Sequence, residues 1–355
     1  MAHYTALAMR ASDMRCKEAK AHARRVASFN FYITSNMMPY ARTLRIVVCI
    51  VACSAAQLTA LLPVASHAQT TSPKPSATNP LERRCWASYT NQRTKPASAN
   101  DGVRSVGFSN LRDGYRVYSP FKVEFAVRGM GVAPAGKQLD GTGHHHILID
   151  RRLPSDVSAE LPFDDKHKHF GKGQTSTLLD LPPGKHTLRL LFADYQHRPY
   201  YVFSDQISVE VIAPRSSLLQ SGVPAIDSAR FDATCAAWYQ NAVTEPRPAD
   251  AVAHFQNLRD GDVVLAPLNL RLGTEGYGVC STEIEAEKSG HFVIDVRQSN
   301  QLFRKIVLKD GRTQIDLDLR AGEYELRAAL LDRGGRSLGA PQSLVVRVDP
   351  LRRSE

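Results

Sequence analysis

Seven histidines lie between positions 144 and 197: His144, His145, His146, His167, His169, His186 and His197. Imidazole is the commonest protein ligand for Zn, Cu and Ni, and near neutral pH it also serves as a general base. On a strand, alternate side chains share a face, so His144 and His146 point one way and His145 the other. Two imidazoles at i and i+2 can therefore hold one ion, with further ligands from His167-Lys168-His169. The expected set is His144, His146 and His169, with His167 or His197 as a fourth group, and the expected ion is Zn or Cu. No standard metal spacing is matched, and histidines that only hydrogen-bond neighbouring loops are the other reading of the same residues.

Other chemistries are less well furnished. Ser176 and Ser204 lack a nucleophile-elbow context. Gly171-Lys172-Gly173 lacks the Walker spacing and its strand–loop–helix setting. Asp164-Asp165, beside His167 and His169, reads as an acid/base group or as a solvated loop. Beyond residue 68 three cysteines remain, Cys85, Cys235 and Cys280, with no CxxC spacing. An odd number leaves at least one thiol free or bridged to another chain. The preferred bridge is Cys235–Cys280, with Cys85–Cys235 as the alternative.

The elements that position these residues repeat along the chain. FSNLRDG at 108–114 recurs as FQNLRDG at 255–261, Gly129-Met130-Gly131-Val132 as Gly276-Tyr277-Gly278-Val279, and HILID at 146–150 as HFVID at 291–295. Cys85 and Tyr89 are likewise echoed by Cys235 and Tyr239. Co-linear matches of this kind are the mark of a tandem duplication. On this alignment His146 matches His291, which gives that position a structural reading beside the ligand one, and His186 matches Tyr324 and reads as a packed aromatic. His144 and His145 have no obvious histidine counterpart, His167 and His169 fall opposite Lys305 and Val307, and His197 falls near Gly335, which predicts one working copy and one scaffold copy. Within each copy the period is two: Phe121, Val123, Phe125 and Val127 alternate with Lys122, Glu124 and Arg128, as in a half-buried strand. Short strands separated by Gly and Pro turns predict two all-β, immunoglobulin-like antiparallel sandwiches. The Cys/Tyr leaders lack this alternation and read as a helical turn or two.

The formal charge of +10 suggests nucleic acid until its location is considered. Beyond residue 68 there are 37 Lys+Arg against 33 Asp+Glu, leaving +4 and no basic patch. Arg42 and Arg45, the apolar run from Ile46 and Ser66-His67-Ala68 have the order of a secretory signal cleaved near Ala68. Ile50-Val51-Ala52-Cys53 also resembles a lipobox, and the apolar run is short for a spanning helix. The expected organisation is an over-extended start plus signal over 1–68, a linker and leader over 69–99, and copy one over 100–213. A second linker and leader over 214–244 and copy two over 245–349 follow. The mature protein is expected in the periplasm or secreted, without a transmembrane span or a nucleic-acid partner.

GTGHHHILID, HKHFGKGQTSTLLDLPPGKHTLRLLFAD and SDQISVEV resemble the bacterial domain-of-unknown-function family 4399 over roughly residues 115–212. Copy two keeps a faded version of the same motifs. Family members often continue the Asp loop with a His-Pro-His-like stretch, where this chain has His197-Arg198-Pro199-Tyr200. The resemblance implies a small exported domain and no particular activity. The leading expectation is thus an exported, non-enzymatic protein that binds a small ligand or metal ion through copy one. A structural envelope module and a metal-dependent hydrolase are the alternatives.

Overall fold

A computed structural model describes residues 79–96, 104–156, 158–162 and 164–350. The signal-like segment, Ala68 and Cys53 lie outside the described residues. The leader of copy one forms helices α1 (Pro80–Ser88) and α2 (Thr90–Thr94). Asn79 caps α1, its side chain accepting from the Leu81 amide at 3.0 Å, and Pro80 opens the helix where no amide partner is needed.

Copy one contains β1 (Ser105–Phe108), β2 (Tyr115–Ser119), β3 (Phe121–Arg128), β4 (Gly131–Val132), β5 (Thr142–Ile149), β6 (His167–His169), β7 (Ser176–Leu179), β8 (Gly184–Ala193), β9 (Pro199–Phe203) and β10 (Ile207–Pro214). One sheet has the order β1-β3-β7. The other runs β2-β10-β8-β5-β4, with β6 added to β5 and β9 to β8. The connection to copy two carries α3 (Arg215–Ser221) and α4 (Phe231–Thr244).

Copy two contains β11 (His254–Phe255), β12 (Asp262–Leu265), β13 (Leu268–Gly273), β14 (Gly278–Val279), β15 (Ser289–Gln298), β16 (Gln301–Val307), β17 (Gln314–Leu317), β18 (Gly322–Leu331) and β19 (Gln342–Asp349). Its sheets, β11-β13-β17 and β12-β19-β18-β15-β14 with β16 on β15, repeat the order of copy one strand for strand, β9 excepted. Both are immunoglobulin-like sandwiches. Among the described residues no helix is long and apolar enough to cross a membrane.

Equivalent residues of the copies touch one another. The Val132 amide donates to Gly311 O at 2.8 Å, and the Val279 amide donates to Gly173 O at 2.8 Å. Ser109 Oγ donates to Gln256 Oε1 at 2.7 Å across a separation of 147 residues, the offset of the repeat itself. Reciprocal contacts of this kind are those of a local two-fold relation. They also revise the reading of β3 as half-buried. Phe121, Val123 and Phe125 fill the core of copy one, but Lys122 and Glu124 are buried too, against Glu275 and against Arg247 and His254 of copy two. The alternation marks two buried environments, one apolar and one ionic.

The Cys235–Cys280 expectation is overturned: the disulfide joins Cys85 to Cys235, with Cα atoms 5.5 Å apart. The leaders pack on each other instead of each on its own copy. Cys85, Trp86, Cys235, Trp238 and Tyr239 form one apolar cluster, and Tyr89 stacks on Tyr239 at 3.8 Å. Cys280 is buried elsewhere, beside Ala133 and Ile284, and burial pushes its thiol up to about 11. The second leader is also longer than a turn or two, since α4 spans 14 residues.

The repeat alignment needs one correction of register. His144 pairs with Ala193 across β5 and β8, and His291 pairs with Leu331 across β15 and β18. The Ala133 amide donates to Gly143 O as the Cys280 amide donates to Gly290 O. The counterpart of His291 is therefore His144, and that of His146 is Val293. The HILID/HFVID match is a two-residue slip, which leaves every side chain on its original face and so is invisible to alternation.

Candidate metal centre

His144 and His146 stand on the face of β5 opposite His145. His145 turns inward between Phe125 and Phe192, with ring centroids 5.1 Å from each. On the outer face, β6 pairs His169 directly with His146. His197 arrives from the β8–β9 turn. That turn is built by Asp194, whose Oδ1 accepts from the Gln196 and Arg198 amides while its carbonyl accepts from the His197 amide.

Four rings meet there. His144 lies 4.9 Å from His146, 4.9 Å from His169 and 5.1 Å from His197, centroid to centroid. His169 lies 5.0 Å from His146 and 4.8 Å from His197, and the His146–His197 separation is 6.2 Å. A Zn–N bond of ~2.0–2.1 Å places each ring centroid roughly 3.2 Å from the ion, and tetrahedral neighbours then stand roughly 5.2 Å apart. One nitrogen each of His144, His169 and His197 lies within 4.8 Å of the other two. Tetrahedral nitrogens would be roughly 3.3 Å apart, a difference within reach of ring rotation. His167 stands farther out, 6.1 Å from His146, and Asp164 beside it is paired with Arg151 at 2.8 Å. The Asp164 carboxylate is thus committed to an exposed ion pair.

The environment keeps His144, His146 and His169 neutral. Burial pushes His144 down to about 3, helped by His169, His197 and His145. Burial followed by His197 brings His169 to about 4. Burial and its histidine neighbours hold His146 far below its ordinary value. Burial also lowers His167, which Asp164 partly offsets. Neutral imidazole is the metal-binding form. His144 is fully buried, and neither of its ring nitrogens has a hydrogen-bond partner among the described residues. Such orphaned atoms are costly unless something else engages them.

Two supporting features escaped the sequence reading. A Cβ on Gly171 would collide with Cε1 and Nε2 of His169, so the first glycine of the HFGKG motif makes room for a candidate ligand ring. His197 adopts φ 65°. Its counterpart in the Asp332 turn is Gly335, with φ 80°. His186 is not a site residue: its Nδ1 lies 3.0 Å from Asp150 Oδ2 and its Nε2 lies 2.9 Å from Pro182 O. The Tyr324 hydroxyl donates to Arg320 O at the same place in copy two.

Copy two lacks the cluster. His144, His146, His169 and His197 are replaced there by His291, Val293, Val307 and Gly335, as the paired registers of β5–β6 and β15–β16 show.

Among solved structures, the chain is similar to the fibronectin(III)-like modules of Clostridium thermocellum CbhA, at 8% identity over 70% of this chain and 97% of that one, with a TM-score of 0.21. It is also similar to the extracellular domain of the putative hybrid two component system BT4673 from B. thetaiotaomicron, at 21% identity over 26% and 12% of the two chains, with a TM-score of 0.20. For CopC from Methylosinus trichosporium OB3b the identity is 18% over 27% of this chain and 91% of that one, with a TM-score of 0.18. No curated protein matches the chain. Residues 123–212 match the family described as Domain of unknown function (DUF4399), and all the histidines of the cluster fall inside that segment.

Proposed function

We propose that this is an exported, non-enzymatic protein whose first sandwich binds a Zn or Cu ion through His144, His169 and His197, with His146 as a fourth ligand. The carrying observation is His144, fully buried with both ring nitrogens unengaged, in the middle of three other imidazoles. An all-imidazole set suits Zn and Cu better than Mg or Ca, which prefer oxygen. Binding is favoured over hydrolysis because four imidazoles would fill a tetrahedral coordination sphere and leave no position for a reactive water. Of the carboxylates near the cluster, Asp194 accepts two backbone amides on Oδ1 and Asp164 pairs with Arg151. The Cys85–Cys235 disulfide supports export, since such bonds persist in oxidising compartments. Elemental analysis of protein purified without a histidine tag tests the reading. About one equivalent of Zn or Cu is expected, and its loss in His144→Ala; a metal-free protein that also fails to take up either ion would leave the structural-module alternative standing.

A further inference from the structure

The counterpart of His144 in copy two, His291, borders a cleft. The chain between β5 and β6 runs over residues 150–166 and lays Leu153 and Leu161 on Leu148 and Leu191, whereas residues 299–300 alone join β15 to β16. Copy two has a cleft of about 540 Å³ on this side of β15, with His291 among its lining residues. His291 is 7% exposed, and its ring makes no hydrogen bond to a described residue; Asp332 and Lys309 act on it only through space.

Lys288 lines the same cleft, with φ 51°. Its counterpart in copy one is Gly141, φ 73°, because the Gly131 amide donates to Gly141 O as the Gly278 amide donates to Lys288 O. Lysine is a poor choice for a left-handed position, so a lysine there points to a use for its side chain. The other cations of the cleft are engaged: Arg333 pairs with Glu285 at 3.4 Å and Arg336 with Asp332 at 2.9 Å. Lys288 makes no ion pair with a described residue. Ile284 and Leu338 supply apolar wall.

We infer that this cleft is a second binding site, for a small organic monoanion whose carboxylate meets Lys288 and His291 while its apolar body lies on Ile284 and Leu338. One unpaired cation beside apolar wall suits a monocarboxylate better than a phosphate dianion, which would carry a second, uncompensated charge.

Calorimetric titration of the full mature protein with butyrate, and separately with inorganic phosphate, tests this. Butyrate is expected to bind saturably and to weaken at least tenfold in both Lys288→Gly and His291→Ala. Lys288→Gly places there the residue copy one already uses, and its melting temperature should not fall below that of the wild type. His144→Ala, which disables the histidine cluster of copy one, should leave butyrate binding unchanged, so this site stands or falls independently of the metal centre. Three results would overturn the inference: no saturation at about ten times a millimolar Kd, binding that survives both substitutions in copy two, or phosphate binding in place of butyrate.

Discussion

His197 takes a left-handed backbone conformation, φ 65°, at the place where Gly335 takes φ 80° in the second copy. The two turns share their hydrogen bonds, so the conformation belongs to the turn and not to the residue. Glycine adopts it freely, and histidine does so at some cost in strain. A strained residue that aims its ring at three other imidazoles is a candidate for function. His197→Gly should therefore leave the metal-free fold as stable as wild type, or more stable by about 1 kcal/mol. It should weaken metal binding at least tenfold, measured by chelator competition. Equal affinity in the variant would remove His197 from the ligand set.

Gly171 supports His169 in the opposite manner, by having no side chain. Gly171→Ala must displace the His169 ring, because the new methyl would occupy the space of Cε1 and Nε2. Gly171 lies at the rim of β6, outside the main core, so stability should change by no more than about 1–2 kcal/mol. Metal affinity should fall far more than stability does. A variant that binds as well as the wild type would show that the His169 ring is free to swing away at no cost.

The disulfide makes a separate prediction. Cys85 and Cys235 close a loop of 150 residues, and loop-closure entropy puts the stabilisation at about 5 kcal/mol, an upper figure where the reduced chain retains structure. The double variant Cys85→Ala/Cys235→Ala should lose about 2–5 kcal/mol in denaturant unfolding. Cys280 should resist thiol reagents in the native protein and react after unfolding, since it is buried and its thiol is pushed up to about 11. Rapid labelling of native Cys280 would contradict its placement.

The duplication was legible from co-linear motifs, and the sandwich class and the face shared by His144 and His146 from a period of two. The same period hid the true counterpart of His291: a shift by two residues conserves every face, and only the hydrogen-bonded register separates His144 from His146. The Cys85–Cys235 disulfide stood only as the alternative because the packing of the leaders on each other across 150 residues is a tertiary fact with no local trace. Lys122 and Glu124 read as solvent-facing since a charged residue in an alternating strand usually is, and the docking of the second copy on that face cannot be read from either copy alone. Gly171 stood in a motif whose glycines suggested no role beside His169, because that role depends on where one ring lies.

The buried ionic cluster between the copies sets the response to acid. Glu124, 1% exposed, lies 2.7 Å from Arg247 Nε and 3.4 Å from His254 Nε2. Burial alone would raise its carboxyl, but Arg247 and His254 outweigh burial and hold it down to about 2. A carboxyl depressed in the folded state stabilises fully above its unfolded value near 4.5, and that stability is lost as pH falls towards 2. Burial, and after it the charge of Arg247, also lowers His254. The unfolded chain takes up that proton below about 6.5 while the native state resists it, so His254 too favours unfolding as pH drops. Unfolding free energy should thus begin to decline below about pH 6.5 and fall by a further ~3 kcal/mol between about pH 4.5 and 2. Glu124→Gln should be less stable at pH 7, because Arg247 loses its partner, yet its stability should change less over the acid range. Denaturant titrations of both proteins at a series of pH values measure this, and parallel acid profiles would show that Glu124 is not the titrating group.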